Sequence, residues 1–270
     1  MATKLTGIEH NIYRSDGKVH LYRVGGGDPI LFIHGVGGNG STWGKVIDHL
    51  SPHFACYVVD MPGFGESDMP GRQYSMEDFA DSMLDVLDAA GLEQTTIVGD
   101  HTGAILGVIL ATKHPKRVKN LVFDGLPFWN VDRGRVIWEK FFLPQFTDTT
   151  SYSLPVDPLT VWEEEKEKNP TLEKADFELR AKEHKRSRLW GRLSHETATQ
   201  FDVESASAGI SQPTLLIYGE HDALRRGEQR ANEGINGSIL KVIPGSKGAH
   251  ATAHSGNPEG FAKEIKAFLQ

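Results

Sequence analysis

The chain has 270 residues, enough to bury a large core as one or two domains. Its 29 Lys and Arg against 36 Asp and Glu give a formal charge of −7, which argues against a nucleic-acid partner, whose phosphates need a basic face. The one cysteine, Cys56, excludes an internal disulfide, and no apolar stretch approaches the roughly 20 residues of a membrane span, so a soluble, cytoplasmic protein is expected.

In chain order, Gly7–Ser15 and Lys18–Arg23 alternate apolar and polar residues around Asp16-Gly17, a hairpin signal. The N-terminus lacks the apolar core of a signal peptide. Pro29–Ile33 is an apolar strand ending in His34-Gly35, followed by a Gly-rich turn and a helix carrying Trp43, Val46, Ile47 and Leu50. Ala55–Asp60 is a second apolar strand and places Cys56 in the core. Met76–Ala90 has helical apolar spacing and stops at Gly91. Thr95–Val98, Val118–Phe123, Thr214–Tyr218 and Leu240–Ile243 read as further strands. Thr102–Lys113, stopped by Pro115, and Gly260–Leu269 read as helices.

Apolar runs alternating with helices predict an α/β fold with a mostly parallel sheet of about eight strands, covered on both faces. The interval 128–205 breaks the rhythm, being helical, aromatic and charged. It is expected to be an inserted cap between core segments 1–127 and 206–270.

The sharpest local signal is Gly99-Asp100-His101-Thr102-Gly103, between a strand and a helix. This is the setting of a nucleophile elbow, in which a Cβ at either glycine would clash with crossing backbone and the central residue projects from the sheet edge. That residue is ordinarily Ser, Asp or Cys; here it is His101. Asp100 is disfavoured as the nucleophile, because it stands three residues before Gly103 instead of two.

With the elbow stand ILFIHGVGG, YVVDMPGFGESD, PTLLIYGEHD and VIPGSKGAHATAHSGNPEGF, in that order. These five segments resemble the α/β-hydrolase superfamily, in particular its capped branch of meta-cleavage-product hydrolases, dehalogenases, epoxide hydrolases and cofactor-free dioxygenases. The resemblance implies an α/β-hydrolase fold. The backbone N–H groups of Val36 and Thr102 would form an oxyanion hole, worth roughly 3–4 kcal/mol per donor. His250 would be the general base, with His254 as second candidate, although a surface histidine is the simpler reading of His254. Asp222 is preferred over Asp124 as the acid that orients the base. His34 is expected mainly to brace its loop; together with Gly35 and the cap aromatics Phe128, Trp129 and Trp138 it is a candidate for the substrate pocket.

The expected function is hydrolysis of a small, largely apolar or aromatic ester, lactone or C–C bond at His101, His250 and Asp222. A nucleophilic His101 is physically possible, since the positive end of the helix that it opens helps to keep the ring neutral, but it is not the simplest reading, and its role as nucleophile, acid/base or inert group stays open. Two alternatives stay open: a non-hydrolytic, cofactor-free enzyme using His101 and His250 as acid and base, and a catalytically silent ligand-binding protein. No cofactor is expected, since HGVGGNG lacks the dinucleotide signature, and no ligand spacing demands a metal. The expected partner is a small molecule, with neither nucleic acid nor membrane; oligomeric state is not legible.

Overall fold

A computed structural model describes residues 7–144, 162–163, 166–167, 170, 173–174, 177–178, 188–245 and 252–270. The strands are β1 (Ile8–Arg14), β2 (Gly17–Val24), β3 (Asp28–Ile33), β4 (Phe54–Asp60), β5 (Thr95–Asp100), β6 (Val118–Asp124), β7 (Thr214–Gly219) and β8 (Ile239–Ile243). They form one eight-stranded sheet in the order β1-β2-β4-β3-β5-β6-β7-β8. β2 pairs antiparallel with β1 and β4, and every other pairing is parallel.

The period of two explains how the sheet is covered. Leu31 and Ile33 of β3 point into one apolar cluster with Met83, Leu87 and Ile105, while Ile30 and Phe32 point into the other with Trp43, Phe261 and Ile265. Helices α1 (Gly44–Leu50), α2 (Met76–Ala89) and α3 (Thr102–Lys113) follow β3, β4 and β5. α2 starts where Ser75 accepts the Asp78 N–H and the Asp78 carboxylate accepts the Ser75 N–H, a reciprocal cap. The hairpin forms where Asp16-Gly17 signalled it, but Arg14 pairs with Gly17, so the turn residues are Ser15 and Asp16. Cys56 is buried, and burial pushes its thiol up to about 12.

After β6 come α4 (Val131–Ile137), a π-helical turn (Trp138–Phe142), α5 (Arg188–Gln200) and α6 (Val203–Ser207). Among the described residues of 128–205 there is no strand. α5 sits on the core through Trp190, whose Nε1 donates to Pro62 O at 2.8 Å, and Thr197, whose hydroxyl donates to Tyr74 O at 3.0 Å. α7 (Glu228–Gly234), α8 (Ala253–Gly256) and α9 (Pro258–Leu269) complete the chain.

Candidate active site

Strands β3, β5, β6 and β7 lie side by side and end at Ile33, Asp100, Asp124 and Gly219, so the loops leaving them meet at one sheet edge. His101 is the single residue between β5 and α3. With φ 45° and ψ −103°, it is the only non-glycine residue at positive φ among the described residues. Such a backbone costs an L-residue roughly 1–2 kcal/mol. The tight passage around it enforces the conformation: a Cβ on Gly99 would stand 2.4 Å from Gly103 O, and one on Gly103 would stand 2.2 Å from Ile33 O. The His101 N–H donates to Asp124 O at 3.0 Å.

The His101 ring reaches the loop after β7. Nε2 lies 3.0 Å from Asp222 Oδ2, so that nitrogen carries a hydrogen. Asp222 Oδ1 accepts the Leu224 N–H at 2.8 Å, which fixes the carboxylate at the start of a short 3-10 turn. Gly125, at φ 65°, leaves room for this contact: a Cβ there would lie 2.4 Å from Asp222 Oδ2 and 2.8 Å from His101 Nε2. Among the described residues nothing hydrogen-bonds Nδ1 of His101, and 35% of the side chain is exposed.

Burial opposes a charge on this ring. The charge of Asp100, then the charge and hydrogen bond of Asp222 and the charge of Asp124, outweigh it and raise His101 from 6.5 to about 10. Solvent at the exposed part of the ring screens some of that field. Even half the rise would keep the imidazolium in the majority at neutral pH. The expectation of a neutral His101 is therefore corrected, because three carboxylates outweigh one helix end whose dipole amounts to about half a charge. Burial works to raise Asp222, but the charge and hydrogen bond of His101 and the Leu224 amide hold its carboxyl below the usual range.

Asp124 makes a second pair. Its Oδ1 accepts the Ala253 N–H at 3.0 Å; its Oδ2 accepts the His254 N–H at 2.7 Å and faces His254 Nδ1 at 2.8 Å. Burial pushes the Asp124 carboxyl up against the pull of His254. His254 is only 3% exposed and packs on Trp43 with ring centroids 4.3 Å apart, so it is not a surface histidine. Each of the two candidate acids thus has its own histidine: Asp222 has His101 and Asp124 has His254. His250 lies outside the described residues, so neither acid can be assigned to it.

Thr102 follows His101 in the chain, and Val36 stands in the loop after β3. A Cβ on Gly35 would lie 3.4 Å from His101 Cβ, which puts the loop after β3 against the elbow. Thr102 opens α3, where a helix leaves its first N–H groups without partners one turn back. Among the described residues neither the Val36 nor the Thr102 N–H donates to a protein acceptor. From α5, a Cβ on Gly191 would lie 3.8 Å from Val36 Cγ1.

Three pocket candidates are corrected. His34 is completely buried: its Nδ1 donates to Gly35 O at 2.8 Å and its Nε2 accepts the Met61 N–H at 3.0 Å. That fixes a neutral, loop-bracing tautomer with no ring surface for a substrate. Phe128 and Trp129 are 6% and 5% exposed and belong to the core, with Phe128 packed on Gly234 beneath Arg230. Trp138 opens the π-helical turn and is partly exposed.

Asp100 went unnoticed as anything but a rejected nucleophile. Its Oδ1 is buried without a hydrogen-bond partner among the described residues, 4.0 Å from His101 Nε2 and 3.9 Å from His254 Nδ1. The sequence did hold a signal for this, since neighbouring parallel strands both end in aspartate, Asp100 beside Asp124. Asp100, Asp124 and His254 also bring potential metal-ligand atoms within 4.8 Å of one another. They do not fit a metal, because His254 Nδ1 and Asp124 Oδ2 are already joined and the Asp124 carboxylate is spent on two amides.

The comparisons with known proteins agree with this architecture. The α/β hydrolase fold family matches residues 28–239. A 2-hydroxymuconate semialdehyde hydrolase of a Pseudomonas species is 35% identical over 112 residues, covering 40% of each chain. A pimeloyl-[acyl-carrier protein] methyl ester esterase of Yersinia enterocolitica is 28% identical over 252 residues, covering 89% of this chain and 93% of the esterase. The crystal structure of a hydrolase from Pseudomonas aeruginosa superposes with a TM-score of 0.79 at 20% identity, covering 98% and 99% of the two chains. The matched stretch spans only 32% to 41% of the length of the first curated relatives. Among the described residues no helix is long and apolar enough to cross a membrane. With its eight-stranded sheet, its strained elbow and a family match over most of its length, the chain belongs to the α/β-hydrolase fold family.

Proposed function

We propose that the chain is a hydrolase of small, largely apolar or aromatic esters, lactones or activated C–C bonds, and that His101 serves as its acid and oxyanion-binding group. The observation that carries this reading is the His101 Nε2 to Asp222 Oδ2 contact of 3.0 Å, made from the elbow position itself. The family relatives named for semialdehyde and methyl-ester hydrolysis support the substrate class.

As a nucleophile, His101 needs an unprotonated Nδ1. With its pKa near 10, that form is a small minority at neutral pH. As an imidazolium it offers Nδ1–H to the substrate, beside the N–H groups of Val36 and Thr102. The three donors meet the carbonyl oxygen as it becomes an oxyanion. Water is then the nucleophile, and His250 is the base that the family resemblance supplies. Water gives a proton to His250 and its oxygen bonds the carbonyl carbon. The bond to the leaving group breaks, the leaving group takes the Nδ1 proton, and His250 returns its proton to His101 through solvent.

In this reading residues 128–205 form a lid over the core, and the closeness of Gly191 to Val36 supports that placement. The same cation would stabilise an enolate without attack by water, which is the form the non-hydrolytic alternative takes.

A panel of p-nitrophenyl esters, aryl lactones and vinylogous diketones in 18O-labelled water tests the proposal. Turnover with one 18O in the acid product, falling at least about 100-fold in His101→Ala, is expected. Full hydrolysis by His101→Ala contradicts it. Turnover without 18O favours the lyase or isomerase alternative, and tight binding without turnover favours the silent one.

A further inference from the structure

Parallel strands β5 and β6 are in register at their ends, with Asp100 opposite Asp124. Two carboxylates placed side by side at a buried sheet edge repel each other, and a like-charge pair there is unfavourable unless cations flank it. Asp124 is served by its own donors, the Ala253 and His254 amides and His254 Nδ1. Among the described residues no donor serves Asp100 Oδ1 in this way. Its side chain is 13% exposed, its Oδ1 is buried without a hydrogen bond among the described residues, and its Oδ2 lies where a Cβ on Gly35 would come within 2.7 Å.

The groups facing this oxygen come from every neighbouring element. His101 follows β5 at 4.0 Å, His254 of α8 stands at 3.9 Å, Asp124 ends β6, and Asp222 lies beyond His101 in the loop after β7. Behind Gly35, His34 is locked in its neutral tautomer. Among the described residues, the basic group next to Asp100 that is also partly exposed is His101, since His254 is buried.

We infer that Asp100 is the positioning residue of the elbow: its carboxylate, seated between the two histidines, holds His101 as an imidazolium and couples it to the buried His254–Asp124 pair. A carboxylate at 4 Å without a hydrogen bond is suited to this. It stabilises the cation through space without taking the Nε2–H from Asp222 or closing off Nδ1. His101 therefore keeps a donor for the substrate while its charge is held from two sides, and protonation changes at the site are felt at His254, on the far side of Asp100. The inference deepens the hydrolytic proposal by explaining why the elbow carries an acid. It does not require turnover to be tested.

The experiment is an NMR pH titration of the full chain labelled with 15N-histidine and 13C-aspartate, as wild type and as Asp100→Asn. In the folded variant the His101 midpoint should fall by about one to three pH units, as expected for losing a carboxylate within 4–6 Å. An unmoved midpoint overturns the inference. If Asp100→Asn does not fold, the wild type alone decides. Asp100 13Cγ should show an inflection at the pH where His101 titrates, and so should the His254 ring nitrogens; their absence overturns the inference equally. A lowered midpoint in a protein with no hydrolytic activity would sink the hydrolytic proposal and leave the role of Asp100 standing.

Discussion

His101→Asn is the most informative perturbation of stability. Asparagine tolerates positive φ better than most residues, so the elbow backbone is kept while the charge is removed. In the wild type the folded-state pKa of His101 lies above its unfolded value, at about 10 against 6.5. The stabilisation is therefore fully present below about pH 6.5 and is lost as the pH rises through 10. At about 1.4 kcal/mol per pH unit the full rise corresponds to ~5 kcal/mol. The side chain is 35% exposed, and solvent screening reduces that to about 2 kcal/mol. Urea unfolding of both proteins at pH 6 and pH 10 measures this directly, because the other lysines, tyrosines and histidines cancel in the difference. The stability advantage of the wild type should shrink by about 2 kcal/mol between the two pH values. A difference that stays constant would refute the cationic His101.

Two further variants test the packing around the site. Gly125→Ala places a Cβ 2.4 Å from Asp222 Oδ2 in a left-handed backbone; it should cost about 2–4 kcal/mol in chemical denaturation and also lower the His101 titration midpoint. Asp124→Asn replaces an acceptor of three N–H groups by an amide with one acceptor, leaving buried donors unpaired. It should cost about 2–4 kcal/mol in thermal or urea unfolding while leaving the His101–Asp222 contact formed.

Much of the fold was legible because its signals are local. Gly99 and Gly103 announce a tight strand-to-helix passage, and the strained backbone at His101 follows from contacts within five residues and the end of β3. The buried runs of β3 to β7 declared a parallel sheet through composition alone. The hairpin was found but its turn was placed one residue late, because Gly17 uses its positive φ to enter β2 instead of closing the turn.

What the sequence could not deliver is the electrostatics. The charge on His101 depends on Asp222, 121 residues away, and on Asp124 and Asp100, brought alongside by strand register. A helix end is visible in a sequence, whereas three converging carboxylates are not. Two of the pocket aromatics are lost to the core for a related reason. Phe128 and Trp129 follow directly after β6, and the core claims them before a substrate can. His34 braces its loop, since a histidine beside a glycine-rich turn can tie that turn to a neighbouring loop, as it does between the ends of β3 and β4 through Gly35 O and the Met61 N–H.

The central claim is that the elbow of this α/β-hydrolase-fold protein holds a histidine cation paired to Asp222. A long-range 15N–1H correlation spectrum of the wild type across pH 5 to pH 11 tests it most directly. Both ring nitrogens of His101 are expected to stay protonated at pH 7.5, with the ring titrating well above the ordinary histidine value. A neutral ring at pH 7.5, with its inflection at the ordinary histidine value, would contradict it.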